Sequence, residues 1–320
     1  MIMAGTGQLR VTASELNVRD APSVDGSVVG QLNQGDVVDW IDTSADGDWR
    51  QIQKDGLTGW SAGQFLTPVV PPTRAGPLDP ILQAAAASAI AGYGWKNRGV
   101  APIGYIKGMA LVYGRVYCKF KAGDACAAEM AKANTGDGSV DALAWFDAEF
   151  TAAGMDNSTD GVDTLRHLFV LLMGLGMRES SGIYCTGRDQ SATNTTAETA
   201  EAGLFQTSFN ARDASPFMPT LFQQYSANPS GFLDIFQEGV NPCGAADLQN
   251  FGSGDGAAFQ RLSKECPAFA AEFAAVGMRN IRRHWGPLNT KTAEIRPDCD
   301  AMLQQVEQAV DANDLCAALS

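Results

Sequence analysis

A proline-rich segment divides this chain into two parts with different sequence periods. Residues 67–80 read TPVVPPTRAGPLDP and hold five prolines in fourteen residues, a composition typical of a semi-rigid linker. Before this segment apolar residues alternate every second position, and after it they recur with the period of a helix. The sequence therefore predicts a small all-β domain at residues 1–67, a linker at 68–79 and a mainly helical α+β domain at 80–320.

The first part reads as short strands separated by turns. Apolar alternation recurs at 16–18, 28–32, 37–41 and 49–52, with Asp-Gly or Gly-Asp pairs between the runs, which predicts a small barrel or sandwich. The strings LNVRDAP at 16–22, GD at 35–36, DW at 48–49 and GW at 59–60 resemble the bacterial type of SH3-like domain. That resemblance implies a module that tethers secreted enzymes to the bacterial cell wall.

Three tryptophans of this first part are candidates for stacking on a ligand. Trp40, Trp49 and Trp60 carry large flat rings. For Trp49 and Trp60 we predict packing in the core of the domain instead, and no binding residue is assigned in this part.

Helical periodicity dominates the second part. The predicted helices cover residues 81–91, 103–119, 140–153, 162–179, 216–225, 231–237, 257–262, 267–285 and 298–310. Only residues 185–210 mix threonine, tyrosine and phenylalanine in a way that permits a short hairpin. The second part is therefore predicted to be mainly helical with one small hairpin.

The charge of the chain excludes several classes of partner. The net charge is −13, and no basic cluster is present that could neutralise a row of phosphates, so nucleic acid is not an expected partner. The uncharged run at 168–177 is about half of the roughly 20 residues that a membrane-spanning helix needs. It predicts a buried core helix, and no membrane partner is expected.

The cysteines favour an exported protein. All seven lie after residue 117, and the separations 118/126, 243/266 and 299/316 suit local disulfides in an oxidising compartment. The sequons at Asn157 and Asn194 are compatible with export. Since the N-terminus lacks the order of a signal peptide, we expect a secreted chain that is already processed. With no Cys-x-x-Cys pair and only two histidines, neither a metal nor another cofactor is predicted.

The apolar run 168–177 leads directly into an acidic residue. It is followed by Arg178-Glu179-Ser180-Ser181-Gly182, so Glu179 stands at the end of a helix that is hydrophobic nearly all round. Low-dielectric surroundings disfavour an ionised carboxylate. Glu179 is therefore a candidate proton donor near neutral pH.

Two strings around Glu179 resemble known cell-wall enzymes. The Glu-Ser string at 179–180 and Gly203-Leu-Phe-Gln206 resemble the Glu-Ser and Gly-Leu-Met-Gln segments of goose-type lysozymes and soluble lytic transglycosylases. With CTGRD at 185–189 and HWGPL at 284–288, the pattern over residues 81–320 resembles glycoside hydrolase family 184. The resemblance implies a lysozyme-like fold, muramidase activity and Glu179 as the catalytic acid.

Hydrolysis with inversion needs a second carboxylate about 6.5–9.5 Å from the acid, which activates water. Asp189 and Glu201 are ranked equally as candidates for this base, with Glu198 behind them. In goose-type enzymes the Gly-Leu-Met-Gln string is followed by valine and aspartate, whereas this chain has Thr207-Ser208. The base therefore cannot be transferred from that position.

Several polar and aromatic residues are candidates for sugar contacts. Gln206, Ser208 and Asn210 alternate along a segment predicted to be extended, so they would share one face. Tyr184 and Tyr225, and also Trp285, are candidates for stacking on sugar rings, with core packing as the alternative for all three.

These observations predict a monomeric, secreted muramidase that cleaves the β-1,4 bond between N-acetylmuramic acid and N-acetylglucosamine in bacterial peptidoglycan. Lytic transglycosylase and chitinase-type activities remain open as alternatives. A non-catalytic wall-binding or inhibitor protein with the same groove is an alternative of another class.

Overall fold

The structure is a computed structural model that describes residues 7–44, 46–69, 76–193 and 195–320. It separates the chain into two compact units, Met1–Gly76 and Pro77–Ser320. Residues 70–75 of the predicted linker, and the sequon residue Asn194, lie outside the described residues.

The first unit contains an antiparallel sheet of seven strands in the order β3-β2-β6-β5-β4-β1-β7. Alternate residues of each strand point to the same side of the sheet, and the residues that point inward are aliphatic. The core residues are Leu9, Val11, Leu16, Val18, Leu32, Val38, Ile52 and Leu66. The strands are β1 Gly7–Val11, β2 Glu15–Arg19, β3 Val28–Asn33, β4 Val37–Thr43, β5 Trp49–Lys54, β6 Leu57–Ala62 and β7 Leu66–Val69.

The prediction that Trp49 and Trp60 fill this core is wrong. Both side chains are half-buried and outside the core cluster. In β6 the buried positions are Gly59 and Ser61, so the alternation turns Trp60 to the other side. A Cβ atom at Gly59 would collide with the backbone and side chain of β2. The inner face therefore has no room for a bulky residue at this point of the sheet.

The second unit is mainly helical with one short two-stranded hairpin, as the sequence predicts. Its helices are α1 Asp79–Ala87, α2 Ile103–Lys121, α3 Ala125–Met130, α4 Ala142–Trp145, α5 Asp147–Ala152, α6 Val162–Ser180, α7 Phe217–Ala227, α8 Leu233–Phe236, α9 Ala245–Leu248, α10 Gly254–Glu265, α11 Pro267–Asn280, α12 Gly286–Asn289, α13 Pro297–Asn313 and α14 Cys316–Leu319. No helix among the described residues is long and apolar enough to cross a membrane.

Helix α6 is the centre of this unit. All its residues from Thr164 to Met177 are buried, and it contacts α2, α11 and α13. Two glycines allow close packing near its end: a side chain at Gly174 would collide with the Glu294 backbone, and one at Gly176 with Tyr105. The Tyr105 hydroxyl donates to the Met173 carbonyl at 2.8 Å. The end of α6 is thus held in a fixed position.

Several predicted helices are shorter in the structure, among them those at 140–153 and 267–285. Residues 140–153 form α4 and α5 with a break at Phe146, and α11 stops at Asn280, after which a 3₁₀ turn covers 282–284. Asp141 accepts hydrogen bonds from the Leu143 amide and the Arg279 guanidinium. Such side-chain bonds fix local ends that apolar periodicity does not reveal.

The hairpin does not lie at residues 185–210, so its predicted position is wrong. It consists of β8 Gly94–Trp95 and β9 Gly99–Val100. Within 185–210, among the described residues, the only ladder contact is an isolated bridge between Ala202 and Thr207. A high content of threonine and aromatic residues favours strands, but residues 203–206 form a tight turn instead.

The disulfides are long-range rather than local. Cys118 bonds with Cys316, and Cys185 with Cys243, over sequence separations of 198 and 58 residues. The expected local pairs 118/126, 243/266 and 299/316 are therefore wrong. The remaining cysteines, Cys126, Cys266 and Cys299, form no disulfide.

Candidate active site

The end of α6 places Glu179 at the protein surface. Ser181 adopts a left-handed conformation with φ 56° and ends the helix, and the Gly182 amide donates back to the Gly176 carbonyl at 3.3 Å. Gly182 lies against the ring of Tyr105, where a side chain would collide. The chain therefore leaves the helix directly after Ser180, which keeps Glu179 in the last helical turn.

Glu179 is a half-buried acid whose pKa is raised. Burial, and after it the charge of Glu201, raise the pKa of Glu179 to about 7, while Arg98 and Arg178 act in the opposite direction. Its position at the negative end of the α6 dipole also disfavours ionisation. Among the described residues no group donates a hydrogen bond to its carboxyl, whose oxygens are not enclosed. The carboxyl is therefore accessible to a ligand.

Glu201 is the second acid of this site with a raised pKa. It is half-buried, and burial followed by the charge of Asp189 raises its pKa. The neighbouring residues hold it in place, because the Ala202 amide donates to Thr207 at 3.2 Å and the Gly203 amide to Thr186 at 2.8 Å. The structure thus brings two carboxyl groups with raised pKa values within electrostatic reach of each other.

Asp189 and Glu198 have different surroundings. Asp189 is exposed, and its Oδ1 accepts hydrogen bonds from the Ser191 amide at 2.8 Å and hydroxyl at 2.7 Å, which lower its pKa. Glu198 is exposed and pairs with Arg212 at 2.9 Å. Of the predicted acids, only Glu201 shares with Glu179 both burial and a raised pKa.

The loop that follows Glu179 is tied to the segment around residue 245. The Cys185–Cys243 disulfide makes the first link, and the Gly187 amide donates to Asp247 at 3.1 Å. The Tyr184 hydroxyl lies 3.2 Å from the Cys243 sulfur. Tyr184 is half-buried beside this disulfide, so it lies in the loop near Glu179.

The prediction that Gln206, Ser208 and Asn210 lie on one extended segment is wrong, because residues 209–214 form a 3₁₀ helix. Gln206 has a left-handed φ of 44°, and its Nε2 donates to the Gly203 carbonyl at 3.0 Å and to the Thr186 carbonyl at 3.3 Å. Ser208 is buried and donates to the Asn210 side chain at 2.7 Å. A positive φ lies outside the β region, so the three side chains do not follow the period of a strand.

Tyr225 makes its hydrogen bonds with residues other than Glu179 and Glu201. It is buried near the end of α7, donates to Glu272 at 2.6 Å and accepts from Arg115 at 3.3 Å. It lines a cavity of about 630 Å³ whose walls include neither Glu179 nor Glu201. Trp285 is buried as well, and its indole donates to the Phe205 carbonyl at 2.8 Å, which confirms core packing for this ring.

The sequence analysis missed the hairpin β8–β9. The Arg98 guanidinium donates to the Arg178 carbonyl, and the Arg178 guanidinium donates to the Lys96 carbonyl at 2.9 Å. The separation of about 80 residues between these partners leaves no local sequence signal. The hairpin supplies a positively charged edge next to Glu179.

A comparison with known families supports the assignment of the first unit. The sheet spans residues 7–69, with an aliphatic core and a late Gly-Trp pair. Residues 14–67 match the bacterial SH3 domain. The SH3-like prediction for this part is thereby confirmed, and such a domain supports a role in cell-wall targeting. No curated protein matches the chain, so the resemblance of residues 81–320 to family 184 stays a prediction.

The pH dependence of stability tests the surroundings of Glu179. Its pKa rises from 4.5 to about 7 on folding, so the folded state loses stability as the pH rises through this range. The whole shift corresponds to roughly 3 kcal/mol, which partial solvent access reduces to about 2 kcal/mol. Glu179→Gln, which cannot ionise, should therefore exceed the wild type in free energy of unfolding by about 2 kcal/mol at pH 8 and match it at pH 4.

Urea unfolding of the full chain at both pH values measures this difference. The matched control is Glu198→Gln, the same chemical change at an exposed position, which should give no pH-dependent gain. A gain for Glu179→Gln that is equal at pH 4 and pH 8 would contradict a raised pKa.

Proposed function

We propose that this protein is a muramidase that hydrolyses the β-1,4 bond between N-acetylmuramic acid and N-acetylglucosamine in peptidoglycan. The observation that carries the proposal is the accessible, half-buried Glu179 with a pKa of about 7 beside Glu201. An acid with such a pKa keeps its proton in a substantial fraction of molecules near neutral pH and can donate it to a leaving oxygen. The SH3-like domain at residues 14–67 supports the cell wall as the target.

In the proposed reaction the two acids have different roles. Glu179 donates its proton to the glycosidic oxygen while the bond to the anomeric carbon breaks, and Glu201 accepts a proton from the attacking water. The water oxygen forms the new bond, so the products are two sugar chains, one with a new reducing end. The charge of Asp189, which raises the pKa of Glu201, would make Glu201 a stronger base.

The SH3-like domain would bring the enzyme to its substrate. Joining a binding module to a catalytic domain raises the effective concentration of the catalytic domain at a polymer. The net charge of −13 gives no general attraction to an anionic wall. Binding to the wall must therefore rest on specific contacts.

Analysis of the reaction products tests the proposal. Purified peptidoglycan incubated with the full chain should give muropeptides with new reducing ends, detected by mass spectrometry. A lytic transglycosylase would give products lighter by one water, because it forms anhydro ends. If the protein cleaves only chitin oligosaccharides, it is a chitinase. If it sediments with peptidoglycan but cleaves none of the substrates, it is a non-catalytic wall-binding protein.

A further inference from the structure

The hairpin β8–β9 and the last turn of α6 hold each other through two arginines. Arg98 donates to the carbonyl of Arg178, and Arg178 donates to the carbonyl of Lys96 at 2.9 Å. The Lys96 amide also donates to Glu294 at 2.9 Å. The hairpin is thus fixed next to Glu179, and its turn carries Arg98 on the exposed side.

The two arginines have unused hydrogen-bond donors. A guanidinium group has five N–H donors, whereas each of these groups makes one hydrogen bond to the described residues. The Nε of Arg178 is buried and has no partner there. Neither arginine forms an ion pair within the described parts of the chain, although both lower the pKa of Glu179.

Two positive charges without an ion-pair partner among the described residues therefore lie beside Glu179, in a chain of net charge −13. Neutral sugars need no such charge, because hydroxyl and acetamido groups bind to neutral partners. A carboxylate fits a guanidinium in a two-bonded geometry that also fixes its orientation. The arrangement is suited to an anionic group of the substrate.

We propose that Arg98, together with Arg178, binds a carboxylate that the glycan carries next to the scissile bond, and so selects acidic muramic-acid glycans over neutral ones. This inference rests on the proposed function. In peptidoglycan the carboxylate has two possible sources, the lactyl group of a muramic acid without a peptide or an acidic residue of the stem peptide. Both present the same chemical group to Arg98.

A bound carboxylate would also assist the acid. Arg98 and Arg178 lower the pKa of Glu179 in the unliganded protein, which works against its role as a proton donor. An anion bound to these arginines offsets this effect, because a nearby negative charge favours the protonated form of Glu179. Glu179 would therefore stay protonated when an acidic substrate is bound, to a greater extent than with a neutral one.

Binding experiments on the inactive Glu179→Gln full chain separate this role from catalysis. The probes are a stem-free muramic-acid oligosaccharide, its methyl ester, a stem-bearing fragment and a chitin oligosaccharide. The double variant Glu179→Gln, Arg98→Gln should bind the carboxylate form about tenfold more weakly than Glu179→Gln alone. Its affinity for the methyl ester and for the chitin oligosaccharide should be unchanged. Arg98→Lys should keep part of the affinity, and the exposed control Arg283→Gln should keep all of it.

The probe that loses affinity identifies the source of the carboxylate. A loss with the stem-free acid points to the lactyl group, and a loss confined to the stem-bearing fragment points to the peptide. An equal loss for acid and ester would overturn the proposal, since it would mean that Arg98 only supports the end of α6. The proposal would also be overturned if the Glu179→Gln protein with Arg98 intact bound the acid and the ester with equal affinity.

The failure of the proposed function can be recognised separately. The protein with Glu179 intact is tested for new reducing ends on the same probes. If it cleaves none of them while the carboxylate form still depends on Arg98, the carboxylate site is supported and the muramidase proposal fails. If it cleaves the acidic glycan and the Arg98→Gln variant cleaves acid and ester with unchanged kcat/KM, the carboxylate site is overturned and the muramidase proposal stands.

Discussion

The Glu179→Gln variant is expected to lose about a thousandfold in kcat/KM on peptidoglycan. Glutamine keeps the size of the side chain but has no acidic proton, and general acid catalysis contributes about 10²–10⁴-fold to a rate. The carboxyl of Glu179 is accessible and makes no hydrogen bond to the described residues. The substitution therefore breaks no hydrogen bond within the described part of the folded protein, and the loss should appear in kcat. Release of reducing ends from purified peptidoglycan measures it.

Glu198→Gln is the matched control for this experiment. It makes the same chemical change at an exposed residue that pairs with Arg212, and it should retain nearly full activity. The wild-type rate should also decline above about pH 7, where Glu179 loses its proton. Full activity of a folded Glu179→Gln variant would contradict the assignment of Glu179 as the general acid.

The second large effect is expected for Glu201. Glu201→Gln should lose about a hundredfold or more in kcat, since glutamine cannot accept a proton from water. Asp189→Asn should lose far less, because Asp189 is exposed and its carboxylate is already bonded to Ser191. This pair of variants separates the two candidates for the base that the sequence ranked equally.

The pH profile adds an independent measure of the same assignment. Asp189 raises the pKa of Glu201, so removing the charge of Asp189 lowers that pKa. The acidic limb of the activity profile of Asp189→Asn should therefore shift to lower pH. If Asp189→Asn loses as much activity as Glu179→Gln while Glu201→Gln stays active, Asp189 and not Glu201 is the base.

The central helix and its acid could be predicted from local sequence. The run from Leu168 to Met177 has no charged residue, and such a helix can only be stable inside a core. The end of the helix was predictable too, because Gly182 follows directly after the polar residues. Glu179 therefore stands out from short-range pattern alone, as does the alternation of the SH3-like strands.

The environment of Glu179 could not be predicted in this way. Arg98 approaches from a hairpin about 80 residues earlier, and Cys185 pairs with Cys243 rather than with a neighbouring cysteine. Gln206 turns into a left-handed conformation where the residue types favoured a strand. Tyr225 faces Arg115 and Glu272 on other helices.

The sequence by itself determined that there are two domains of different secondary structure, and that one acid ends a helix too apolar to be exposed. Both follow from periods of two and 3.6 residues, which act over a few neighbours. Only the tertiary structure determined which acid and which arginines lie near Glu179, and which cysteines form disulfides. These contacts join distant segments through packing, and packing has no period that can be read along the chain.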